Sequence, residues 1–257
     1  MITKDFIKDV LSVPSCSGHE EMLRDYILKY AADRGIGARV DAKGNAYLCK
    51  GKVAKGEFYP CLANHMDTVQ NHEGLVRSGA RLAVREWVDE GRTKIYAEDT
   101  GIGADDKLGC ALALAIIDEL PAVKAVFFVE EELCMMGSKQ LDERWFDDVG
   151  FCLSFDSPER NRSAMSCSGV DLFGGLEGEF FRNVLKPVAA AHGVTEFRHE
   201  PFTDVLQVRE KTGVKCWNLG NGGRLPHSPV EYLVYEDVVA AYETGLDLLR
   251  RIGSRRW

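Results

Sequence analysis

Short apolar runs and helical stripes alternate along the chain from end to end. Runs suited to buried strands lie near Ala38–Val40, Ala46–Cys49, Pro60–Ala63, Lys94–Ala97, Ala125–Val129 and Phe151–Phe155, and later near Val170–Phe173 and Val214–Leu219. Helical periodicity marks Lys107–Leu120, Phe180–His192, Asp204–Thr212 and Tyr235–Ile252. Ser17-Gly18-His19-Glu20 has the form of a capping box, with Ser17 as N-cap and Glu20 reaching back, which opens a helix through about Ala32. Strands separated by helices predict an α/β fold of three layers, αβα, around a mostly parallel, mixed central sheet. The stretch Gln70–Gly91, rich in charge and glycine, reads as a hairpin or excursion too short to stand alone. Residues 1–257 are therefore expected to form one domain.

Composition narrows the partners. With 45% hydrophobic and 28% charged residues the chain can bury a sizeable core, and a net charge of −8 argues against non-specific nucleic-acid binding. The N-terminus lacks the basic start and apolar stretch of a signal peptide, and no apolar run approaches the roughly 18 residues that span a bilayer. A cytoplasmic protein that does not enter the membrane is expected. The eight cysteines sit mostly inside apolar runs with no CxxC pair, as reduced buried thiols do, so neither a disulfide framework nor a thiolate metal site is expected.

Most of the chemically interesting side chains fall just after a predicted strand, where an open α/β sheet places its ligands. His65 and Asp67 follow Pro60–Ala63, the run Glu130-Glu131-Glu132 follows Ala125–Val129, Asp156 follows Phe151–Phe155, and His227 comes after Val214–Leu219. Carboxylates and imidazoles gathered on one rim repel or desolvate one another unless cations compensate them. In an extended His65-Met66-Asp67, positions i and i+2 point the same way, so Asp67 can orient the His65 ring while its other nitrogen binds metal. Asp105 and Asp106 open a helix after Gly101-Ile102-Gly103-Ala104; either is an ordinary cap there, but Asp105 can also bridge two cations. Of consecutive glutamates after a central strand, one can ligate metal while its neighbour acts as general base.

The order His, Asp, Glu-Glu, Asp, His makes a resemblance specific. The segments HMDTV, GIGADDKLG, EELCMMGS, FDSPE and PHSPVEYL resemble the five metal-site motifs of the co-catalytic zinc exopeptidase superfamily, which includes peptidase T, glutamate carboxypeptidase-like enzymes and the tetrahedral glutamyl aminopeptidases. The resemblance runs from residue 65 to residue 233, and the SCSGHEE helix opening also fits. It implies that His65, Asp105 and Asp156 hold one zinc ion and that Glu132, Asp105 and His227 hold the other, with cobalt or manganese as substitutes. It also implies a cis peptide between Asp105 and Asp106. Alignment on Gly137-Ser138 makes Glu131 the base and Glu132 the ligand; the alternative register is Glu130 and Glu131. Cys134 stands where the family usually has glycine.

The activity so implied is hydrolysis of a peptide or other amide bond by water activated between two metals, with Glu131 and Asp67 as the catalytic residues, Glu131 as base and Asp67 orienting His65. An aminopeptidase or tripeptidase-like exopeptidase acting on small peptides is the leading expectation. A deacylase on an N-acyl substrate, a carboxypeptidase and a non-catalytic zinc protein are the alternatives. Many relatives insert a lid or dimerisation domain, for which this spacing leaves no room, so a lid-less catalytic unit of open oligomeric state is expected. In the lid's absence Arg224, Asn218 and Asn221 are the candidates for stabilising the oxyanion, and His199, near Phe202-Thr203-Asp204, for touching substrate. Arg224 favours a substrate carboxylate, whereas Glu231 and Asp204 favour an amine.

Overall fold

Two sheets organise the chain in the computed structural model, which describes residues 2–257. In chain order the strands are β1 (Gly37–Val40), β2 (Ala46–Lys50), β3 (Tyr59–His65), β4 (Val84–Asp89), β5 (Arg92–Ala97), β6 (Val123–Phe128) and β7 (Val149–Ser157). They continue as β8 (Arg162–Cys167), β9 (Val170–Asp171), β10 (Glu196–Glu200), β11 (Cys216–Gly220), β12 (Gly223–Arg224) and β13 (Tyr232–Val234). The helices are α1 (Lys4–Ser12), α2 (Glu21–Asp33), α3 (Glu73–Ser78), α4 (Ala104–Glu119), α5 (Lys186–His192), α6 (Asp204–Thr212) and α7 (Tyr235–Ile252).

The large sheet runs β1-β2-β6-β3-β7-β11-β8-β10, with β9 paired to β8. Its middle, β6-β3-β7-β11, is parallel, and β2 and β8 flank it antiparallel. Parallel strands are covered on both faces and read as unbroken apolar runs. Every residue of β3 and of β6 is accordingly buried. Helix α4 lies across β3, β6 and β7 with α1 and α7 beside it, while α6 packs on β11, β3 and β7. The fold is the expected αβα with a mixed central sheet. No helix among the described residues is long and apolar enough to cross a membrane.

The structure corrects several local readings. Ser17 does not cap α2, which starts at Glu21 with Glu20 at the N-cap. The Ser17 hydroxyl instead donates to Asp67 Oδ2 at 2.7 Å, and Glu20 Oε1 accepts from the Gly18 and Glu130 amides. A polar side chain near a helix start serves whichever unpaired group lies closest, and here tertiary contacts supply one. The apolar run Lys94–Ala97 is not in the large sheet; as β5 it joins the second sheet, β12-β13-β5-β4, all antiparallel. Gln70–Gly91 holds α3 as well as β4. The stretch Phe180–His192 divides into a wide turn, Phe181–Leu185, bonded i to i+5, and α5, while Val170–Phe173 shortens to β9.

His72, read as part of a charged surface excursion, is fully buried. Its Nδ1 donates to the Ser15 carbonyl at 3.1 Å and its Nε2 faces Thr100 Oγ1 at 3.3 Å, so the neutral ring has both nitrogens used. Burial, and then the charge of Lys107, depress its pKa from 6.5 to about 4. Between these values the unfolded chain takes up a proton that the folded chain refuses. Stability is thus undiminished above pH 6.5, falls as pH drops, and is lower by about 3 kcal/mol below pH 4 from this group alone. Urea unfolding of wild type and His72→Asn at pH 7, 5.5 and 4.5 should show the gap between the two narrowing as pH falls; a constant gap refutes the assignment.

Candidate metal centre

The parallel middle of the sheet delivers the candidate residues to one edge. His65 ends β3, Glu130–Glu132 follow β6, Asp156 sits near the end of β7, and the loop between β12 and β13 brings in His227. Asp105 enters from the first turn of α4, whose backbone there departs from helical geometry (φ −94°, ψ 104°), and its peptide to Asp106 is cis. Asp106 is the local anchor. Its Oδ1 accepts the Gly109 amide at 3.1 Å and its Oδ2 the Asn64 side-chain amide at 2.6 Å. A Cβ on Gly109 would fall 2.1 Å from Asp106 Oδ1, so only glycine permits this approach.

The donor atoms form two adjoining groups around Asp105. His65 Nε2 lies 3.1 Å from Asp105 Oδ1 and 3.4 Å from Asp156 Oδ1. His227 Nε2 lies 3.1 Å from Asp105 Oδ2 and 2.9 Å from Glu132 Oε1. Each oxygen of Asp105 thus faces a different histidine. One donor atom from each of His65, Asp105 and Asp156, and one from each of Asp105, Glu132 and His227, fall within 4.8 Å of one another, as does the set His65, Glu131 and Glu132.

Asp67 holds the arrangement from behind. His65 Nδ1 is 3.0 Å from the Asp67 carbonyl and 3.3 Å from its Oδ1, which makes Nδ1–H the donor and leaves the Nε2 lone pair aimed at the cluster. The Asp67 carboxylate also accepts the Glu131 amide at 2.9 Å on Oδ1 and the Glu132 amide at 3.1 Å on Oδ2. One buried carboxylate therefore sets both the ring and the glutamate pair.

Electrostatics show too many acceptors for the donors present. Burial, followed by the charges of Asp156, Glu132 and Asp105, pushes Glu131 up to about 8, and burial raises Asp156 well above the carboxylate range. Asp105 moves down despite its burial because both histidines face it. Asp105, then Glu132, lifts His227 to about 10. Burial alone would lower His65, but Asp105, Asp156 and Asp67 raise it. Glu132 Oε1, although close to His227, is buried outside hydrogen-bond alignment with any donor. Three carboxylates and two imidazoles with lone pairs converging, one oxygen orphaned, fit a pair of divalent cations.

The other candidates fall differently. Asn218 is buried and brackets Asp156, with Oδ1 accepting its amide at 2.9 Å and Nδ2 donating to its carbonyl at 2.8 Å. Asn221 donates to the Ala104 carbonyl at 3.2 Å and lines a crevice beside Asp105. Arg224 turns away: its Nη2 pairs with Asp237 Oδ2 at 2.7 Å. His199, on edge strand β10, points outward onto Ser166 Oγ. Among the remaining histidines, His19 lies 3.4 Å from Glu73 and His192 lies 3.1 Å from Asp247, both away from the cluster.

Sequence reading missed three supports. Thr203 Oγ1 donates to Asp156 Oδ2 at 2.8 Å. Glu231, weighed only as an amine site, accepts the Gly103 amide at 2.6 Å and the Asp105 amide at 3.2 Å, holding the bridge between the two donor groups. Glu200 lines the cleft beside the cluster. The segments HSPVE and EPFTD were visible, but nothing in their spacing told which carboxylate faces inward. Cys134 adopts φ 62°, the left-handed region that favours glycine, and lines the same cleft.

Comparison with known proteins bears on the fold. No family model matches the chain. It is 28% identical over 172 residues to the cytosol non-specific dipeptidase of Escherichia coli, a match covering 64% of this chain and 35% of that protein. The aminopeptidase PepT structure from Bacillus cereus superposes with a TM-score of 0.77 over 96% of this chain and 97% of that one, at 15% identity. The aminoacylhistidine dipeptidase of Vibrio alginolyticus superposes with a TM-score of 0.52 and 26% identity, over 63% of this chain and 34% of that one. The structural likeness extends over nearly the whole αβα unit, the likeness in sequence over about two thirds of it. The chain is thus similar in sequence to part of two dipeptidases and shares the fold of aminopeptidase PepT. It spans about a third of the length of the dipeptidases it matches in sequence.

Proposed function

We propose that the chain is a peptide-bond hydrolase that works with two divalent cations, zinc by preference, and needs no inserted lid. The observation that carries this reading is Asp105, whose two oxygens face His65 and His227 separately while Glu131 stands beside both groups. His65, Asp105 and Asp156 would hold one ion, and Asp105, Glu132 and His227 the other. When bound, such a pair supplies Lewis acidity, lowering the pKa of water and polarising a carbonyl oxygen.

The protein's own groups do the rest. Glu131, fixed through its amide to Asp67, takes a proton from the attacking water and returns it to the departing nitrogen. The carbonyl carbon gains the water oxygen as its C–N bond breaks, so the products are one carboxylate and one amine. Asn218 and Thr203 keep Asp156 in place, and Glu231 does the same for Asp105.

Titration of metal-stripped protein with zinc should reach two equivalents, followed by calorimetry and elemental analysis, and amide hydrolysis should appear with the second. Binding of no ion, or only the weak binding of surface histidines, overturns the reading.

A further inference from the structure

Strand β4 ends the small sheet and pairs on one side only, with β5. The hairpin between them closes through Glu90 and Gly91, both at positive φ (50° and 76°), as a tight two-residue turn requires. Just beyond the strand, the Glu98 amide donates to the Ala83 carbonyl at 3.0 Å. Antiparallel pairing alternates, so Arg85, Trp87 and Asp89, at two-residue steps from Ala83, also turn their amides and carbonyls to β5. Glu86 and Val88 turn theirs outward, where no strand among the described residues meets them.

An open edge is a template for another strand, and proteins ordinarily blunt it with a bulge, a cover or charge. Here β4 pairs with β5 without a register break, and its edge carries Trp87, 39% exposed, and Val88, 71% exposed. Trp87 is held in place by its neighbours, edge-on to Tyr96 with ring centroids 4.9 Å apart and tilted against Tyr232 at 5.9 Å. Lys94 Nζ lies 5.5 Å from the Trp87 ring and 5.4 Å from that of Tyr232, so the aromatic cluster already holds a cation. Glu86 is likewise spent, on Lys4 at 2.8 Å and Lys8 at 3.3 Å from α1.

The order of charges along β4, Val84-Arg85-Glu86-Trp87-Val88-Asp89, suits a second copy of the same strand. Two such strands can pair antiparallel about a two-fold axis only if outward-turned residues meet, so the axis must pass through a residue and not between two. An axis through Arg85, Glu86 or Asp89 sets a charge against its own copy, and one through Val88 opposes Glu86 to Glu90. An axis through Val84 overlaps almost none of the strand. With the axis at Trp87, Arg85 of each copy stands opposite Asp89 of the other, and no like charges face each other. Glu86 and Val88 then exchange their free backbone hydrogen bonds. The two Trp87 side chains meet in a non-hydrogen-bonded pair, where cross-strand side chains come closest.

We infer that β4 pairs antiparallel with β4 of a second copy about a two-fold axis at Trp87, joining the two four-stranded sheets into one continuous sheet. Such pairing is isologous: it consumes the same edge on both copies and closes at a dimer instead of growing into a fibre. Backbone bonds supply the attachment, the Trp87 pair its apolar centre, and the two Arg85–Asp89 pairs its register.

Sedimentation velocity of the full chain from about 1 to 100 µM should show a monomer–dimer equilibrium with a micromolar Kd, as a small interface gives. Val88→Pro removes an outward amide that β5 does not use, so it should abolish the dimer and leave the melting temperature near that of the wild-type monomer. Arg85→Asp and Asp89→Arg each oppose like charges at both ends of the pairing, and each should raise the dimer Kd about tenfold or more. An equimolar mixture of these two variants should associate again, because every altered charge then faces its opposite in the other chain. Mixing cannot cure a folding defect, so recovery reports the register itself. A chain that stays monomeric throughout, a dimer indifferent to Val88→Pro or to the single charge changes, or a mixture that remains monomeric each overturns the proposal.

Discussion

Glu131→Gln is expected to lower kcat by about 10²–10⁴-fold while the protein keeps its full complement of metal. The amide has the size and shape of the carboxylate but cannot accept the water's proton. The backbone at this position is set by the Glu131 amide on Asp67 Oδ1, which the substitution leaves untouched. Glu132→Gln should behave differently. Its Oε1 is the oxygen 2.9 Å from His227 Nε2, so an amide there weakens one ion site and metal content falls with activity. Elemental analysis beside steady-state kinetics separates the two. Metal lost from Glu131→Gln and retained in Glu132→Gln would mean that the two neighbours have exchanged roles.

Asp105→Ala should be the most damaging single substitution at the cluster, removing both ions and leaving activity lower by three orders of magnitude or more. One carboxylate serves both donor groups, Oδ1 towards His65 and Oδ2 towards His227, so its loss opens a position in each. Groups that merely orient a metal ligand already cost about 10–100-fold in affinity when changed, and a shared ligand must cost more. Asp156→Ala, which touches only the His65 side, should leave one ion bound. Zinc titration of the two variants gives the comparison directly. Equal loss from both would show that Asp105 is not the bridge.

How much of this was legible beforehand depended on whether the signal was local. The ends of β3, β6 and β7 could be read from unbroken apolar runs, because parallel strands buried on both faces leave no polar alternation. His65, Glu131, Glu132 and Asp156 then stood at strand ends by position alone. Ser17 and His72 show the opposite case. A serine before a helical stripe has the form of a cap, and a histidine in a charged stretch the form of a surface residue; each was overruled by partners that lie 50 residues away for Ser17–Asp67 and 57 for His72–Ser15.

What the sequence by itself determined is the order of elements, the αβα layering and the chemical types brought to the strand ends. These follow from periodicity and residue identity, which are properties of neighbours along the chain. Tertiary structure alone decided which carboxylate faces which group. Asp67 clamps the Glu131–Glu132 backbone, Glu231 is spent on the Gly103 and Asp105 amides, Arg224 is turned onto Asp237, and Glu200 is turned into the cleft. A carboxylate has the same charge and much the same reach wherever it stands in a sequence. Its role is set by the amides, cations and solvent it meets after folding, and those come from segments far apart in the chain.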